Sequence, residues 1–390
     1  PPLLSRRGKL RPPPLLSRRG KLRPLPLNPR RESRQALWEA ILANGDGDGA
    51  IPANSPHAPR CCSCHWLFLT ALQWAGGLLR VQLLITREGM EIFQVDEHIW
   101  AIDHDLLGLP GVGVTYVVRG EEIALVETGT ALTAPKTLAG LDALGIPREA
   151  VRHILCTHIH MDHCGGSGHL AAALPNATVY INSSVAEHLA NPTKLMSSVR
   201  RAVGEEAWPL HGELLPIPAE RIHPAETLRL DLGRDVVLEA IATPGHSPDH
   251  LSYRDLKSGG LFIGDAAGLV MERWGLVFPV TPVPAYNLAT HQATIAKLRA
   301  LNLPRIYVTH YGPHDDVDHQ LNYAAERLAE LFDLVERALA DGDPDVDALA
   351  ARWVPYPDDG PAGVVARSWS RMSVAGMIRY ELKRRQAPTS

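Results

Sequence analysis

The sequence predicts an α/β protein: two mixed sheets with helices on their outer faces, followed by a C-terminal helical extension. Three observations carry that expectation. Strand-like and helix-like segments alternate, hairpins included, over about 220 residues that begin near residue 90. Beyond Pro313 the pattern turns wholly helical. A chain of 390 residues also has room for one large domain plus an appendage. Alternation of this kind is satisfied when two sheets pack face to face and helices cover their outer sides.

Residues 92–102 alternate like a strand. Residues 112–118 and 123–126 are β-rich runs joined by Arg119-Gly120-Glu121-Glu122, which reads as a hairpin. A helix is expected over 134–144, ended by Gly145, then a strand over 151–156 and a helix over 165–174. Further strands are expected at 177–181, 226–230, 236–241, 250–254, 260–264 and 305–309. Helices are expected at 183–190, 193–204 and 287–300. In the tail, 321–340 reads as a long amphipathic helix and 373–384 as a second, separated by a Pro/Asp/Gly-rich loop at 355–362.

The chain accordingly divides into a leader (1–89), a body (90–315) and a helical extension (316–390). In the leader, Pro1–Pro12 and Pro13–Pro24 are the same twelve residues twice over. Such Pro- and Arg-rich copies bury nothing, and perfect repetition suggests repetitive DNA read in frame, with a start near Met90. The leader is therefore expected to be disordered or not native. Of 39 basic and 43 acidic residues, residues 1–36 hold eleven Lys or Arg and only Glu32, which leaves 28 against 42. A body near −14 repels phosphate backbones, so nucleic acid is a disfavoured partner and a small molecule the expected substrate. Five cysteines, three of them crowded at Cys61, Cys62 and Cys64, make no disulfide framework, and reduced thiols in a cytoplasmic protein fit best. The apolar stretch 66–79 is too short for a membrane helix, so no membrane is expected. A homodimer is compatible with the sequence.

The strongest local signal is Thr157-His158-Ile159-His160-Met161-Asp162-His163-Cys164-Gly165-Gly166, between an expected strand and an expected helix. Residues two apart in an extended segment point the same way, so His158 and His160 can share one metal. The turn that follows would aim Asp162 and His163 at a second position close by. Imidazole and carboxylate are the donors zinc and similar ions favour.

His-x-His-x-Asp-His resembles the motif of the metallo-β-lactamase superfamily, and the flanking Thr and Gly-Gly resemble its hydroxyacylglutathione hydrolase (glyoxalase II) branch. Thr243-Pro244-Gly245-His246-Ser247, Phe262-Ile263-Gly264-Asp265 and Val308-Thr309-His310-Tyr311-Gly312-Pro313 resemble the later family motifs, in order, over roughly residues 92–315. The resemblance implies a four-layer αβ/βα metallo-β-lactamase sandwich. It implies that His158, His160 and His246 hold one divalent metal ion and Asp162, His163 and His310 a second, with Asp265 bridging. Zinc is the foremost candidate, iron and manganese the others. It further implies a hydrolase in which Asp162 ligates and orients a metal-bridging hydroxide that attacks a thioester, lactone or ester.

Glu127, in Glu127-Thr128-Gly129 where the family often has Asp-Thr-Gly, would support the ligands from behind, as would His250. Tyr311 and Tyr286 could reach a substrate oxygen. His169 reads as structural and Cys164 as a small buried filler, while His291 and His314 are rival donors to His310. Ile159 replaces a His that many glyoxalase II members carry. A phosphodiesterase or ribonuclease of the same fold and a mononuclear-iron sulfur dioxygenase stay open as alternatives.

Overall fold

The computed structural model describes residues 67–74, 77–85, 89–356 and 360–386. Its first sheet has nine strands in chain order: β1 Leu67–Trp74, β2 Gly77–Ile85, β3 Glu91–Asp96, β4 Ile99–Asp103, β5 Val114–Arg119, β6 Ile123–Val126, β7 Val151–Leu155, β8 Thr178–Ile181 and β9 Ile222–Pro224. Pairing is antiparallel up to β6 and parallel from β6 to β9. The switch follows from the connections. Short turns join the early strands, whereas parallel neighbours need long crossovers. Those crossovers carry helices α1 Ala134–Ala143, α2 Met161–Cys164, α3 Ser167–Ala173, α4 Glu187–Ala190 and α5 Thr193–Ala207.

The second sheet runs β10 Arg229–Asp231, β11 Val237–Ala242, β12 Leu251–Asp255, β13 Leu261–Phe262, β16 Ile306–Val308 and β17 Gly312–His314, in that spatial order. Strands β13 and β16 are parallel, with helix α6 Leu288–Ala300 in the crossover between them. A separate small hairpin, β14 Leu269–Met271 with β15 Leu276–Phe278, lies in the same crossover.

Two-residue periodicity sorts the first sheet's side chains between its faces. Ala124, Val126, Leu155 and Tyr116 point into a core shared with Leu251, Tyr253, Phe262 and Tyr307 of the second sheet. There the Tyr116 ring lies 5.1 Å from that of Phe262, which stacks on Tyr307 at 4.7 Å. The two buried tyrosine hydroxyls reach across the sandwich, Tyr116 donating to the Val308 carbonyl and Tyr253 to that of Cys156. Leu125, Ile154 and Val179 face the other way, onto Leu141 of α1 and Leu170 of α3. Helix, sheet, sheet, helix is the four-layer order expected.

The tail forms α7 Val317–Asp341, α8 Val346–Trp353 and α9 Pro361–Gln386. Leu321, Ala324, Leu328, Leu331 and Val335 recur on one face of α7 and pack in one core with Ile306 and Val308 of the second sheet. Helix α8 was not foreseen, and α9 runs twelve residues ahead of its expected start at 373, from Pro361.

Three expectations need correction. The strand foreseen over 92–102 is a hairpin turning at Glu97-His98. The strand foreseen over 226–230 is displaced to Arg229–Asp231. The body does not begin at residue 90, because β2 pairs with β3 through Leu83↔Phe93, Leu84↔Ile92 and Ile85↔Glu91. Part of the apolar stretch read at 66–79 therefore belongs to β1 and β2. The tandem repeat and the Cys61/Cys62/Cys64 cluster lie outside the described residues. Among those described, no helix is long and apolar enough to cross a membrane.

Candidate metal centre

Four strands deliver the candidate ligands from their carboxyl ends, and a fifth delivers the glutamate behind them. Strand β6 leads into Glu127, β7 into His158–His163, β11 into the loop carrying His246, β13 into Asp265 and β16 into His310. The carboxyl ends of sheet strands are where α/β folds place their sites. The loop after β7 bends over Thr157–Ile159, is extended at His160 (φ −64°, ψ 144°) and then winds into the single turn of α2, which swings Asp162 and His163 round. Gly166 is needed because a Cβ there would collide with the Thr128 carbonyl. Gly264, at φ +53°, lets Asp265 approach, since a Cβ would come within 2.6 Å of His250 Nε2.

All seven predicted ligands converge. His160 Nδ1 lies 2.8 Å from His158 Nε2 and 2.9 Å from His246 Nε2. His310 Nε2 is 3.1 Å from His163 Nε2 and 3.6 Å from Asp162 Oδ2. Asp265 stands between the two groups, Oδ2 at 3.3 Å from His246 Nε2 and Oδ1 at 3.3 Å from His163 Nε2. Three overlapping triads have donor atoms within 4.8 Å of one another: His158/His160/His246, His158/His163/Asp265 and Asp162/His163/His310.

The donor chemistry fits a cation. His246 Nδ1 donates to the Val280 carbonyl and His310 Nδ1 to that of Val112, both at 2.9 Å. A carbonyl only accepts, so each Nε2 turns a lone pair inward. His163 Nδ1 likewise meets Glu127 Oε1 at 3.1 Å, and His158 Nδ1 meets Thr157 Oγ1 at 2.9 Å. Lone pairs therefore face lone pairs, and Asp265 Oδ1 is buried with no hydrogen-bond partner. A neutral cluster would leave these acceptors unsatisfied; divalent ions would satisfy them.

The electrostatics agree. Burial, reinforced by neighbouring imidazoles, holds His158 well below the usual histidine range. Burial also outweighs the Asp265 carboxylate at His246, which is held well below that range too. At Asp265 burial opposes ionisation, but His163, His246 and His310 overcome it and hold the carboxyl well down. At His163 burial opposes protonation, yet Asp265, Glu127 and Asp162 together push it well up. That concentrated negative field is what a bound cation would neutralise.

Glu127 sits behind the ligands, fully buried, and accepts from Thr157 Oγ1 (2.6 Å), Thr309 Oγ1 (3.2 Å) and His163. His250 accepts the Asp265 backbone N–H at Nε2 (3.1 Å) and faces Thr243 Oγ1 at Nδ1 (2.8 Å), so it holds Asp265 in place with no lone pair to spare. Cys164 is a buried filler whose Sγ donates to the Ile159 carbonyl. The rivals are committed elsewhere, His291 to the Ala266 carbonyl and His314 to that of Tyr311. His169 reaches the Glu213 carbonyl.

Tyr311 departs from expectation. Its hydroxyl donates to Asp103 Oδ2 at 3.3 Å and its ring packs on Phe93 at 5.9 Å, so it lies among the residues between the sheets instead of facing the donors. Burial, with the Asp103 carboxyl beside it, pushes that hydroxyl well up. Tyr286 is buried and belongs to a separate cleft of about 320 Å³ with Tyr380, Lys383 and Arg384.

Several contributors escaped the sequence reading. Asp249 accepts the Ile159 N–H at 2.8 Å and so fixes the loop between His158 and His160. Trp369 of α9 packs its ring 5.2 Å from that of His310. His211 lies close enough to Asp162 to feel its carboxylate. Asp249 beside His250 offered a weak signal; the other two offered none.

A model of the metallo-beta-lactamase superfamily matches residues 108–310. A hydroxyacylglutathione hydrolase of Cupriavidus taiwanensis is 30% identical over 271 residues, 68% of this chain and 77% of that protein. The N-acyl homoserine lactonase AttM of Azorhizobium caulinodans is 26% identical over 139 residues, 35% of this chain and 49% of that protein. Among solved structures, the archaeal metallo-beta-lactamase superfamily protein ST1585 of Sulfolobus tokodaii aligns with a TM-score of 0.57 at 21% identity, covering 72% of this chain and 98% of that one. The chain belongs to the metallo-beta-lactamase superfamily and is a metal-dependent hydrolase.

Proposed function

We propose that the chain is a binuclear metal-dependent hydrolase of small-molecule thioesters, lactones or related esters. The observation that carries this reading is the sharing of Asp265 between two donor groups, with His246 on one side and His163 on the other. His158, His160 and His246 would hold one ion and Asp162, His163 and His310 the other. Zinc suits the all-imidazole and carboxylate donors. When bound, such a pair lowers the pKa of water towards neutrality and polarises a carbonyl oxygen.

The chain's own residues do the rest. Asp162 is the more exposed of the two ligand carboxylates, at 17% against 5% for Asp265. Burial opposes its ionisation, but His163 and His310 hold it low, so it is an anion able to orient an attacking water by accepting its hydrogen bond. Glu127, His250 and Asp249 fix the donors so that little reorganisation accompanies reaction. Similarity to a hydroxyacylglutathione hydrolase and to an N-acyl homoserine lactonase favours carbonyl over phosphoryl substrates. The free thiols of Cys156 and Cys164 accord with a cytoplasmic location.

Elemental analysis of the purified protein, beside a panel of thioesters, lactones and phosphodiesters, tests the reading. Two ions per chain and turnover of a carbonyl ester are expected. One iron per chain with oxygen consumption, or turnover confined to phosphodiesters, would overturn it.

A further inference from the structure

Outside the metal centre, a cleft of about 320 Å³ opens where the start of α6 meets the last turns of α9. None of the residues lining it is a candidate metal ligand. One wall carries Tyr286, Asn287 and Ala289, the other Tyr380, Lys383 and Arg384. A space of that size takes a small molecule. Both walls are held by backbone carbonyls. The Asn287 N–H anchors the first on the Gly245 carbonyl at 3.1 Å, and Arg379 Nε ties the second to the first through the Pro284 carbonyl, also at 3.1 Å.

The polar groups here are donors, and no carboxylate lines the cleft. Asn287 caps α6: its Oδ1 accepts the Thr290 N–H at 3.0 Å, and its carbonyl accepts the His291 N–H at 2.9 Å. The Leu288 and Ala289 N–H groups are left without an acceptor among the described residues, as is Asn287 Nδ2. A helix start in that state favours an anion. Tyr286 is the independent sign of a ligand. It is only 6% exposed, and its hydroxyl is buried with no hydrogen-bond partner. Its ring stands edge-on to that of Tyr380, on the opposite wall, at 6.3 Å. A buried hydroxyl with no acceptor is costly, and an oxygen lodged in the cleft would supply one. The charge is positive. Arg384 and Arg385 both turn onto buried Glu381, whereas Lys383 forms no ion pair among the described residues.

We propose that this cleft binds a phosphorylated small molecule. Its phosphate lies between Lys383 Nζ and the first N–H groups of α6, accepts from the Tyr286 hydroxyl, and leaves the organic part against the Tyr380 ring. Donors on both walls outnumber the two oxygens of a carboxylate, which makes the phosphate the better match. The site is distinct from the metal centre, and no bond is made or broken in it.

The test is calorimetric titration of the full-length protein with phenyl phosphate and with benzoate. Any binding at the metal centre is common to the parent and its variants, so the readout is the step that responds to substitutions in the cleft. Lys383→Gln should weaken phenyl phosphate roughly tenfold, the worth of a charged hydrogen bond, and Tyr286→Phe roughly fivefold, the worth of a neutral one. Ala289 is exposed in the first turn of α6, where a carboxylate suits the helix; Ala289→Glu should take the anion's place and abolish the step. Because the Tyr286 hydroxyl bonds to nothing in the protein, Tyr286→Phe should not lower the melting temperature, whereas a purely structural hydroxyl would cost stability and leave affinity alone. Absence of a step sensitive to all three substitutions, or benzoate bound as tightly as phenyl phosphate, overturns the inference. Turnover plays no part in this readout, so failure of the hydrolase reading would show in the substrate panel alone.

Discussion

At the scale of single residues, the centre is a set of lone pairs held by acceptors behind them. The Val112 and Val280 carbonyls each fix one ring nitrogen as a donor and free the other. Truncating one of the proposed ligands should therefore empty a coordination position without touching the sheets. His160→Ala and Asp162→Ala should each lose essentially all turnover while keeping the far-ultraviolet circular dichroism of the parent; residual activity of even about a tenth would contradict the roles given to them. Asp103 offers a different test, remote from the donors. Burial, the largest influence, raises its carboxyl to about 7 despite the Gly111 and Asp105 N–H groups it accepts from. Because the folded state holds this proton more tightly than the unfolded chain, stability should fall as pH rises from about 4 towards 7 and change little above that. Asp103→Asn should flatten that slope in urea titrations; an unaltered slope would assign the pH dependence to other groups.

At the scale of elements, the motif His158–Gly166 was legible because strand, turn and helix follow one another within a dozen residues. Period-two spacing predicts that His158 and His160 face one another's site, and their ring nitrogens meet at 2.8 Å. Much of α9 was not legible: the expected start at 373 missed its first three turns, which include Trp369. Surface polarity on one side and small residues such as Gly376 against Thr281 on the other blur its periodicity. Trp369 is where this helix meets the centre. Trp369→Ala removes a buried indole, which costs about 3–5 kcal/mol. Chemical denaturation should register that loss, and affinity for the ion that His310 is proposed to hold should weaken with it. Unchanged metal affinity would show that α9 merely covers the sheet.

At the scale of the molecule, residues 64–390 form one compact unit, and the tail shares a core with the second sheet. The helical extension is therefore part of the fold that carries the centre. Strand β2 covers the edge of β3, and Leu84 packs with Ile92. Removing residues 1–66 should leave the melting temperature and activity in place, whereas removing 1–89 should lower the melting temperature and promote self-association through the bared β3 edge. Equal behaviour of the two truncations, by calorimetry and size-exclusion chromatography, would mean that β2 adds nothing.

Alternation of apolar residues, turn chemistry and four short motifs were enough to specify the sandwich and the seven side chains that converge, because those signals are local and each motif sits at the end of its own strand. The sequence could not specify which way a side chain faces once distant segments meet. Only the packed structure turned Tyr311 towards Asp103, committed His250 to the Asp265 backbone, and brought Trp369 against His310. Each of those outcomes depends on competition between partners far apart in the chain, and such competition is resolved by tertiary packing and not by spacing.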